Sequence, residues 1–148
     1  MDLEQKSIEL TRYIGAVVER FAISSQETPD VFDLLSNQEV NLILVAGRNE
    51  PGPMSNLAQK LNLSLSSVTG IVDRLVDKHL VCRERSEEDR RVVRVGLTEG
   101  GQKMYDQIFQ AHLKISRGMM AMLNESEQDA LLGLIRRVAS AIDEKKEK

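Results

Sequence analysis

The chain has 148 residues, a net charge of −3 and 41% hydrophobic residues, a composition typical of one globular domain with an ordinary core. The acidic balance argues against indiscriminate binding to polyanions, and no apolar run approaches the roughly 20 residues that cross a bilayer. The start of the chain lacks the pattern of a signal peptide, and its single cysteine, Cys82, excludes an internal disulfide. We therefore expect a cytoplasmic protein.

Two helices are predicted in the first third of the chain. The apolar residues of the segment 6–25 recur at the spacing of an amphipathic helix, and they are Leu10, Tyr13, Ile14, Val17, Val18 and Phe21. Ser36 stands three residues before Glu39, the arrangement of a capping box, in which each side chain bonds the other's backbone N–H. The helix that Ser36 opens, to about Gly47, is apolar on most sides, so we expect it to be buried.

A tight helical corner is predicted in the middle of the chain. Residues 48–53 have the composition of a loop, and a short helix is expected over 55–61. Only Asn62 and Leu63 separate that helix from Ser64, which can cap the next one. Two short helices joined by such a turn form a helix-turn-helix.

The second helix of this corner has an apolar and a polar side over residues 64–78. At about 100° per residue, the apolar side holds Leu65, Val68, Ile71, Val72, Leu75 and Val76. The polar side holds Ser66, Ser67, Thr69, Gly70, Asp73, Arg74, Asp77 and Lys78. The period then changes, because residues 80–85 and 92–97 are short β-branched runs separated by the charged tip SEEDRR. A helix-turn-helix followed at once by a hairpin is a winged helix.

Two further helices are predicted after the hairpin. Thr98 can cap a helix that runs to about Leu123, and Asn124 with Glu127 can cap the last one. The first helix and the last two hold more apolar surface than a small winged helix needs to cover. That surplus fits either a larger single core or a dimer interface. We favour the dimer, because two-fold DNA sites match a two-fold protein.

The predicted fold is therefore mainly α: a winged helix-turn-helix with a two-stranded β-wing and long N- and C-terminal dimerisation helices. We expect a single domain over 1–148. Its winged-helix DNA-binding lobe would occupy 35–98, and its dimerisation region would consist of 1–34 and 99–148.

Eight residues are candidates for contact with DNA. Hydroxyls in the first turns of a helix can reach base edges, while Gly70 would allow close approach and Arg74 could contact a base or a phosphate. Arginines at a hairpin tip can enter a narrow minor groove, and Asp89 would hold one of them in position. The candidates are Ser64, Ser66, Ser67, Thr69, Gly70, Arg74, Arg90 and Arg91. The alternatives are a solvated polar face, simple tolerance of Gly70 and a surface ion pair of Arg74.

The sequence offers little support for catalysis or metal binding. It has two histidines and one cysteine, without a recognisable catalytic motif or a Gly-rich phosphate loop. Cys82, His79 and His112 also lack the spacing of a metal site. We therefore predict no enzyme, no metal and no cofactor. A winged helix that binds only other proteins stays open as an alternative.

Four stretches of the chain resemble the MarR family of bacterial transcriptional regulators, in the family's order. They are LSNQEVNLI, MSNLAQKLNLS, VTGIVDRLVDKHLV and EEDRRVVRVGLTEGG. The last contains the Asp-x-Arg of the family wing as Asp89 and Arg91, then the Leu-Thr-x-x-Gly that starts the long helix. Two positions depart from the pattern. His79 replaces a usual glycine, which suggests a left-handed backbone that histidine tolerates, and Cys82 is not at the family's redox position.

The resemblance implies an obligate homodimer, more often a repressor than an activator, on a pseudo-palindromic operator of double-stranded DNA in the nucleoid. The recognition helix would enter the major groove and the wing arginine the adjacent minor groove. Family members often lose DNA on binding a small aromatic ligand, in a pocket between the long helices and the lobe. Residues that could line such a pocket are Tyr13, Phe21, Met104, Tyr105 and Phe109, although aromatics at helical spacing are more often core. A metal-responsive regulator without such a ligand is the alternative.

Overall fold

The structure, a computed structural model, describes residues 1–26 and 34–146, and the side chains of residues 1–20 and 34–142 among them. The elements in chain order are α1 (Leu3–Gln26), α2 (Asn37–Gly47), β1 (Gly52–Pro53), α3 (Met54–Leu61), α4 (Leu65–Asp77), β2 (Val81–Arg85), β3 (Val93–Leu97), α5 (Glu99–Met120) and α6 (Glu125–Lys146). No helix within these described ranges is long and apolar enough to span a bilayer. The mainly helical winged helix-turn-helix that the sequence predicts is confirmed.

The sheet has three antiparallel strands in the order β1-β3-β2. The hairpin of β2 and β3 pairs Val81 with Leu97 at one end and Arg85 with Val93 at the other. The strand β1 adds to the free edge of β3 over residues 52–53. The two strands predicted for the wing are present as β2 and β3, whereas the prediction of a plain loop over 48–53 is wrong at residues 52–53. A two-residue strand is too short for an alternating pattern, and its glycine and proline indicate a loop until β3 supplies the pairing.

The core of the lobe lies where α2 and α4 meet and the sheet closes over them. Its fully buried side chains are Leu42, Ile43, Val68, Ile71, Val72, Leu75 and Ile108. Burial of each such side chain is worth about 1.5–3 kcal/mol relative to exposure. Four of the seven lie on the apolar side of α4, so packing fixes which side of that helix faces outward.

Side-chain caps begin the helices where the sequence predicts them. At α2, the Glu39 N–H donates to Ser36 Oγ at 3.3 Å and the Ser36 N–H donates to Glu39 Oε2 at 2.7 Å. At α6, the backbone N–H groups of Asn124 and Glu127 bond each other's side chains at 2.9 and 3.0 Å. Both capping arrangements are confirmed, because they depend only on residues three apart.

Two turns adopt the left-handed backbone that glycine usually supplies. Asn62, between α3 and α4, has φ 54°, and His79, between α4 and β2, has φ 57°. The left-handed conformation predicted for His79 is confirmed. Asparagine and histidine are among the non-glycine residues that enter this region most readily, so the chain makes both turns without glycine.

The chain groups into two compact units, Met1–His112 and Leu113–Lys148. The first contains α1, the winged-helix lobe and the first turns of α5. The second contains the end of α5 and all of α6, joined by hydrogen bonds from the Gln128 side-chain amide to the carbonyls of Met120 and Leu123, both 3.0 Å. The predicted division into a lobe at 35–98 and flanking dimerisation segments stays a prediction.

Gly101 in the first turn of α5 packs directly against backbone. A Cβ at this position would lie 1.8 Å from the carbonyl oxygen of Leu80. That carbonyl cannot easily withdraw, because it accepts the backbone N–H of Thr98 at 3.1 Å. The glycine of the Leu-Thr-x-x-Gly motif thus allows α5 to start against the turn that follows α4.

Replacing this glycine should test the packing. We expect Gly101→Ala to lower the free energy of unfolding by at least about 2–3 kcal/mol, because the clash is with backbone rather than with a side chain that can rotate. Urea denaturation followed by circular dichroism measures the change. Gly118→Ala in the same helix is the control: a Cβ there meets nothing within 4 Å, so it should stabilise by about 0.5–1 kcal/mol. Equal effects of the two variants would contradict the packing argument.

Candidate nucleic-acid interface

The first turn of α4 carries a chain of linked hydroxyls. Ser64 caps the helix by accepting the Ser67 N–H at 3.2 Å, and its hydroxyl lies 2.8 Å from that of Ser67 and 3.3 Å from that of Ser66. The hydroxyl of Thr69 donates to the carbonyl of Leu65 at 2.9 Å. Each hydroxyl therefore keeps acceptor capacity toward the outside, and the three serines are exposed.

Leu65 is an unexpected part of this surface. Its position on the helical wheel predicts an inward side chain, yet 54% of its surface is exposed. At the first position of a short helix the core has no neighbour left to cover it. The exposed Leu65 side chain lies beside the serines and is able to contact a thymine methyl. Helical periodicity by itself does not predict this exposure.

Gly70 leaves open space in the middle of the polar side of α4. A Cβ built there would meet one atom within 4 Å, Nη1 of Arg74, at 3.8 Å. This is an ordinary contact, so packing within the protomer does not require glycine. The guanidinium of Arg74, one turn further along, lies beside this open position.

Arg74 also faces a buried carboxylate on α2. Its Nε lies 3.5 Å from Oε1 of Glu39, and the Nζ of Lys78 lies 3.0 Å from the same carboxylate. Glu39 is only 2% exposed, whereas the Arg74 side chain is 51% exposed. Lys78 additionally donates to the carbonyl of Leu34 at 2.8 Å. The sequence indicates Glu39 only as a cap, since nothing local links it to cations more than thirty residues away.

The surroundings of Glu39 keep it ionised. Burial alone would raise the pKa of its carboxyl, but the Ser36 N–H and the hydrogen bond and charge of Lys78 outweigh that effect and hold the pKa below its usual range. Glu39 is therefore a buried negative charge that faces two cations, Arg74 of α4 and Lys78 directly after it.

A second ion pair ties α4 to the wing. Asp73, next to Arg74 in sequence, accepts a hydrogen bond from the guanidinium of Arg83 on β2. Neighbouring residues of one helix point about 100° apart, so these two residues attach α4 to two different elements.

The wing tip holds an arginine on an aspartate. Oδ1 of Asp89 accepts the backbone N–H of Arg91 at 3.0 Å and its Nε at 3.1 Å, while Oδ2 accepts Nη2 at 3.2 Å. These bonds, first from the side chain and then from the backbone, lower the pKa of Asp89. The Arg91 side chain is 92% exposed nevertheless. Arg90 is exposed as well, beside the exposed acids Glu87 and Glu88.

The structure describes the side chains of four of the five predicted pocket residues. Tyr105 packs over Gly47 and its ring stacks on that of Phe109, with centroids 6.0 Å apart, and Met104 packs against the core. Tyr13 is exposed on α1, and the side chain of Phe21 lies outside the described part of the chain. A cavity of about 40 Å³, with room for a few waters, is lined by none of them. The ligand pocket stays a prediction.

His79, Cys82 and His112 are the residues considered for metal binding. Within the described ranges no three His, Cys, Asp or Glu side chains come together as metal ligands. Cys82 is half-buried, with Sγ 3.7 Å from the carbonyl oxygen of Gly96. Burial, and then the charge of Arg48, lower the pKa of His112.

The fold and this surface define a winged helix-turn-helix of the kind that reads duplex DNA. Residues 35–93 match the MarR family model, and the chain belongs to the MarR family. It is 34% identical over 101 residues to the HTH-type transcriptional regulator YfiV of Bacillus subtilis, covering 68% of this chain and 63% of YfiV. It is 26% identical over 127 residues to the HTH-type transcriptional repressor MdtR of the same organism, covering 82% of each. For YfiV and three other transcriptional regulators of Bacillus subtilis, the chain covers between 50% and 63% of the relative's own length.

Solved structures share the fold. FabT of Streptococcus pneumoniae in complex with DNA superposes with a TM-score of 0.77 at 21% identity, over 93% of this chain and 98% of FabT. NadR in complex with 4-hydroxyphenylacetate gives a TM-score of 0.69 at 23% identity, over 89% of this chain and 90% of NadR. The family and the named relatives are regulators rather than enzymes, so the prediction of a non-enzymatic protein is confirmed.

The buried carboxylate predicts an acid-sensitive contribution to stability. Because the pKa of Glu39 lies below its ordinary value of 4.5 in the folded protein, its contribution is present above that value and is lost as the pH falls through the folded pKa. The difference in unfolding free energy between the wild type and Glu39→Gln should therefore change between pH 7 and pH 3, with the wild type losing more. Urea denaturation across this range measures it.

The control for this measurement is Glu99→Gln, which removes an exposed ion pair with Lys103. Exposed pairs contribute little, so this variant should follow the wild type at every pH. A Glu39→Gln difference that stays constant from pH 7 to pH 3 would contradict the account.

Proposed function

We propose that the chain is a sequence-specific DNA-binding transcriptional regulator, a repressor that binds a pseudo-palindromic operator as a homodimer in the cytoplasm. The observation that carries this proposal is the outward face of α4. It presents Ser66, Ser67 and Gly70 without a covering element, and the Asp73–Arg83 pair joins it to the wing. The similarity to relatives named as transcriptional regulators, one of them a repressor, supports the same conclusion.

The polar and charged groups of this surface suggest which of them would read bases and which would contribute affinity. The serine hydroxyls can hydrogen-bond base edges in the major groove, and the open space at Gly70 allows the helix to approach them closely. Arg91, held by Asp89 and almost fully exposed, suits the narrow and strongly negative minor groove. Because Glu87 and Glu88 flank this arginine, each protomer gains limited electrostatic attraction, and tight binding requires two linked protomers.

Exposed apolar rows support the homodimer. On α1, Leu10, Ile14 and Val18 recur every four residues and are each more than half exposed. On α6, the corresponding exposed side chains are Leu132, Leu134, Ile135, Val138 and Ile142. Long apolar faces without a cover within their own chain are typical of surfaces that bind another chain.

The wing arginine provides the direct test of DNA binding. A duplex selected from the organism's own genome, starting with the DNA next to this gene, serves as the operator. We expect Arg91→Ala to weaken operator binding about tenfold or more and to make the slope of log K against log salt less negative by about 1. Fluorescence anisotropy at several salt concentrations measures both.

Lys103→Ala is the matched control, since it removes an exposed cation of α5 that pairs with Glu99 outside this surface. It should leave the affinity and the salt slope unchanged. Wild-type affinity in Arg91→Ala would remove the wing from the mechanism. Failure of the wild type to prefer any genomic fragment would instead favour a winged helix that binds proteins.

The α1 row provides the test of assembly. We expect Ile14→Glu to shift the protein from dimer to monomer at micromolar concentration, because an unpaired carboxylate is costly in an apolar interface. Sedimentation velocity measures the mass. Arg12→Glu changes charge on the opposite side of α1 and should stay dimeric. A monomeric wild type, or a dimer that survives Ile14→Glu, would contradict this interface.

Release by a small aromatic ligand is a separate part of the proposal. Its support is the similarity to NadR, which was solved with 4-hydroxyphenylacetate, together with the partly exposed ring of Phe109. A thermal-shift titration with aromatic acids tests it, and a melting temperature that no such acid changes would remove this part alone.

A further inference from the structure

We propose that Glu39 is a positioning residue for DNA reading: its buried carboxylate on α2 holds the guanidinium of Arg74 beside the open position at Gly70, so that Arg74 presents its terminal nitrogens along the outward face of α4. Glu39 itself would touch no DNA. This inference rests on the proposed function and names the device by which α4 becomes a specific reader.

The contacts of Arg74 divide its guanidinium into a held end and a presented end. Nε faces Oε1 of Glu39 at 3.5 Å. Nη1 lies 3.8 Å from the point where Gly70 would carry a Cβ. This contact is an ion pair of a half-exposed side chain, and because the guanidinium is planar, attraction of Nε toward Glu39 also favours one direction for the Nη groups. The terminal donors are thereby pointed along the helix before any partner arrives.

Pre-arrangement of this kind matters because an arginine side chain is otherwise costly to order. A free arginine side chain populates many rotamers, whereas bidentate contact with a guanine requires one orientation. The open position at Gly70 gives the guanidinium room on the helix surface, where a larger side chain would displace it. Glu39 is well suited to hold it, because a carboxylate that is 2% exposed moves little itself.

The substitution Glu39→Gln isolates this role. Glutamine serves at the same position of a capping box, so the bond to the Ser36 N–H can persist while the negative charge is lost. Two effects then act in opposite directions on DNA binding. Loss of a negative charge near the interface should tighten binding to every duplex, whereas loss of the hold on Arg74 should weaken binding to the operator alone.

The readout is therefore the ratio of operator affinity to random-duplex affinity, measured by anisotropy with the full-length protein at fixed salt. We expect Glu39→Gln to lower this ratio about tenfold, comparable to the loss of one base contact. Affinity for the random duplex should stay equal or rise. In an Arg74→Ala background, Glu39→Gln should lower the ratio no further, since the two residues act as one unit.

Two further variants separate positioning from stability. Ser36→Ala removes the hydroxyl of the cap but keeps the Glu39 charge, and it should lower the urea midpoint while the ratio stays at the wild-type value. Glu39→Asp keeps the charge and shortens its reach to Nε, so it should lower the ratio and serves as the test if Glu39→Gln does not fold.

The outcomes that overturn the inference are distinct from failure of the proposed function. An unchanged ratio in Glu39→Gln, or an equal drop with and without Arg74, would reject the positioning role while the wild type still binds its operator. A wild type without preference for any duplex rejects the proposed function, and the inference with it.

Discussion

The charge of Glu39 is the constraint on which the arrangement of the lobe depends. One carboxylate accepts the first backbone N–H of the α2 cap, bonds Lys78 and faces Arg74. A buried charge is stable only when its partners compensate it, and removal of one partner leaves a strong penalty. The N-terminus of α2 and the C-terminal part of α4 therefore hold each other in place through this single group.

The same logic explains why adjacent residues of α4 attach to different elements. Arg74 is directed to α2, and Asp73 is directed to Arg83 on the first strand of the wing. The apolar side of the helix is fixed by packing of Val68, Ile71 and Leu75, and interiors of this density resist small rotations. Packing determines which face of α4 points outward, and the two ion pairs orient the side chains of Arg74 and Asp73 on it. Under the proposed function, α4 and its charged side chains are therefore already oriented before DNA binds.

Three arginines on the outer surface are paired with carboxylates of the same chain. Arg91 is bonded by Asp89, and both Arg74 and Arg83 have carboxylate partners within the protein. Pairing of these three arginines lowers their attraction for a phosphate but restricts their direction, and a restricted guanidinium loses less freedom on binding. Under the proposed function, such a surface would discriminate between sequences more than it attracts duplex DNA in general, in keeping with the net charge of −3.

The amino-acid sequence by itself determined several features that arise within one turn of helix or one hairpin. The capping pairs at Ser36 and Asn124 and the hairpin of the wing depend on neighbours a few residues apart, so the periodicity and residue types predict them. The left-handed turn at His79 followed from the resemblance to a family that has glycine there. Only the tertiary structure decided the third strand at residues 52–53 and the pairing of Glu39 with Arg74. These contacts join segments that are far apart in the chain, and their energies exist only once packing of the core has brought the segments together.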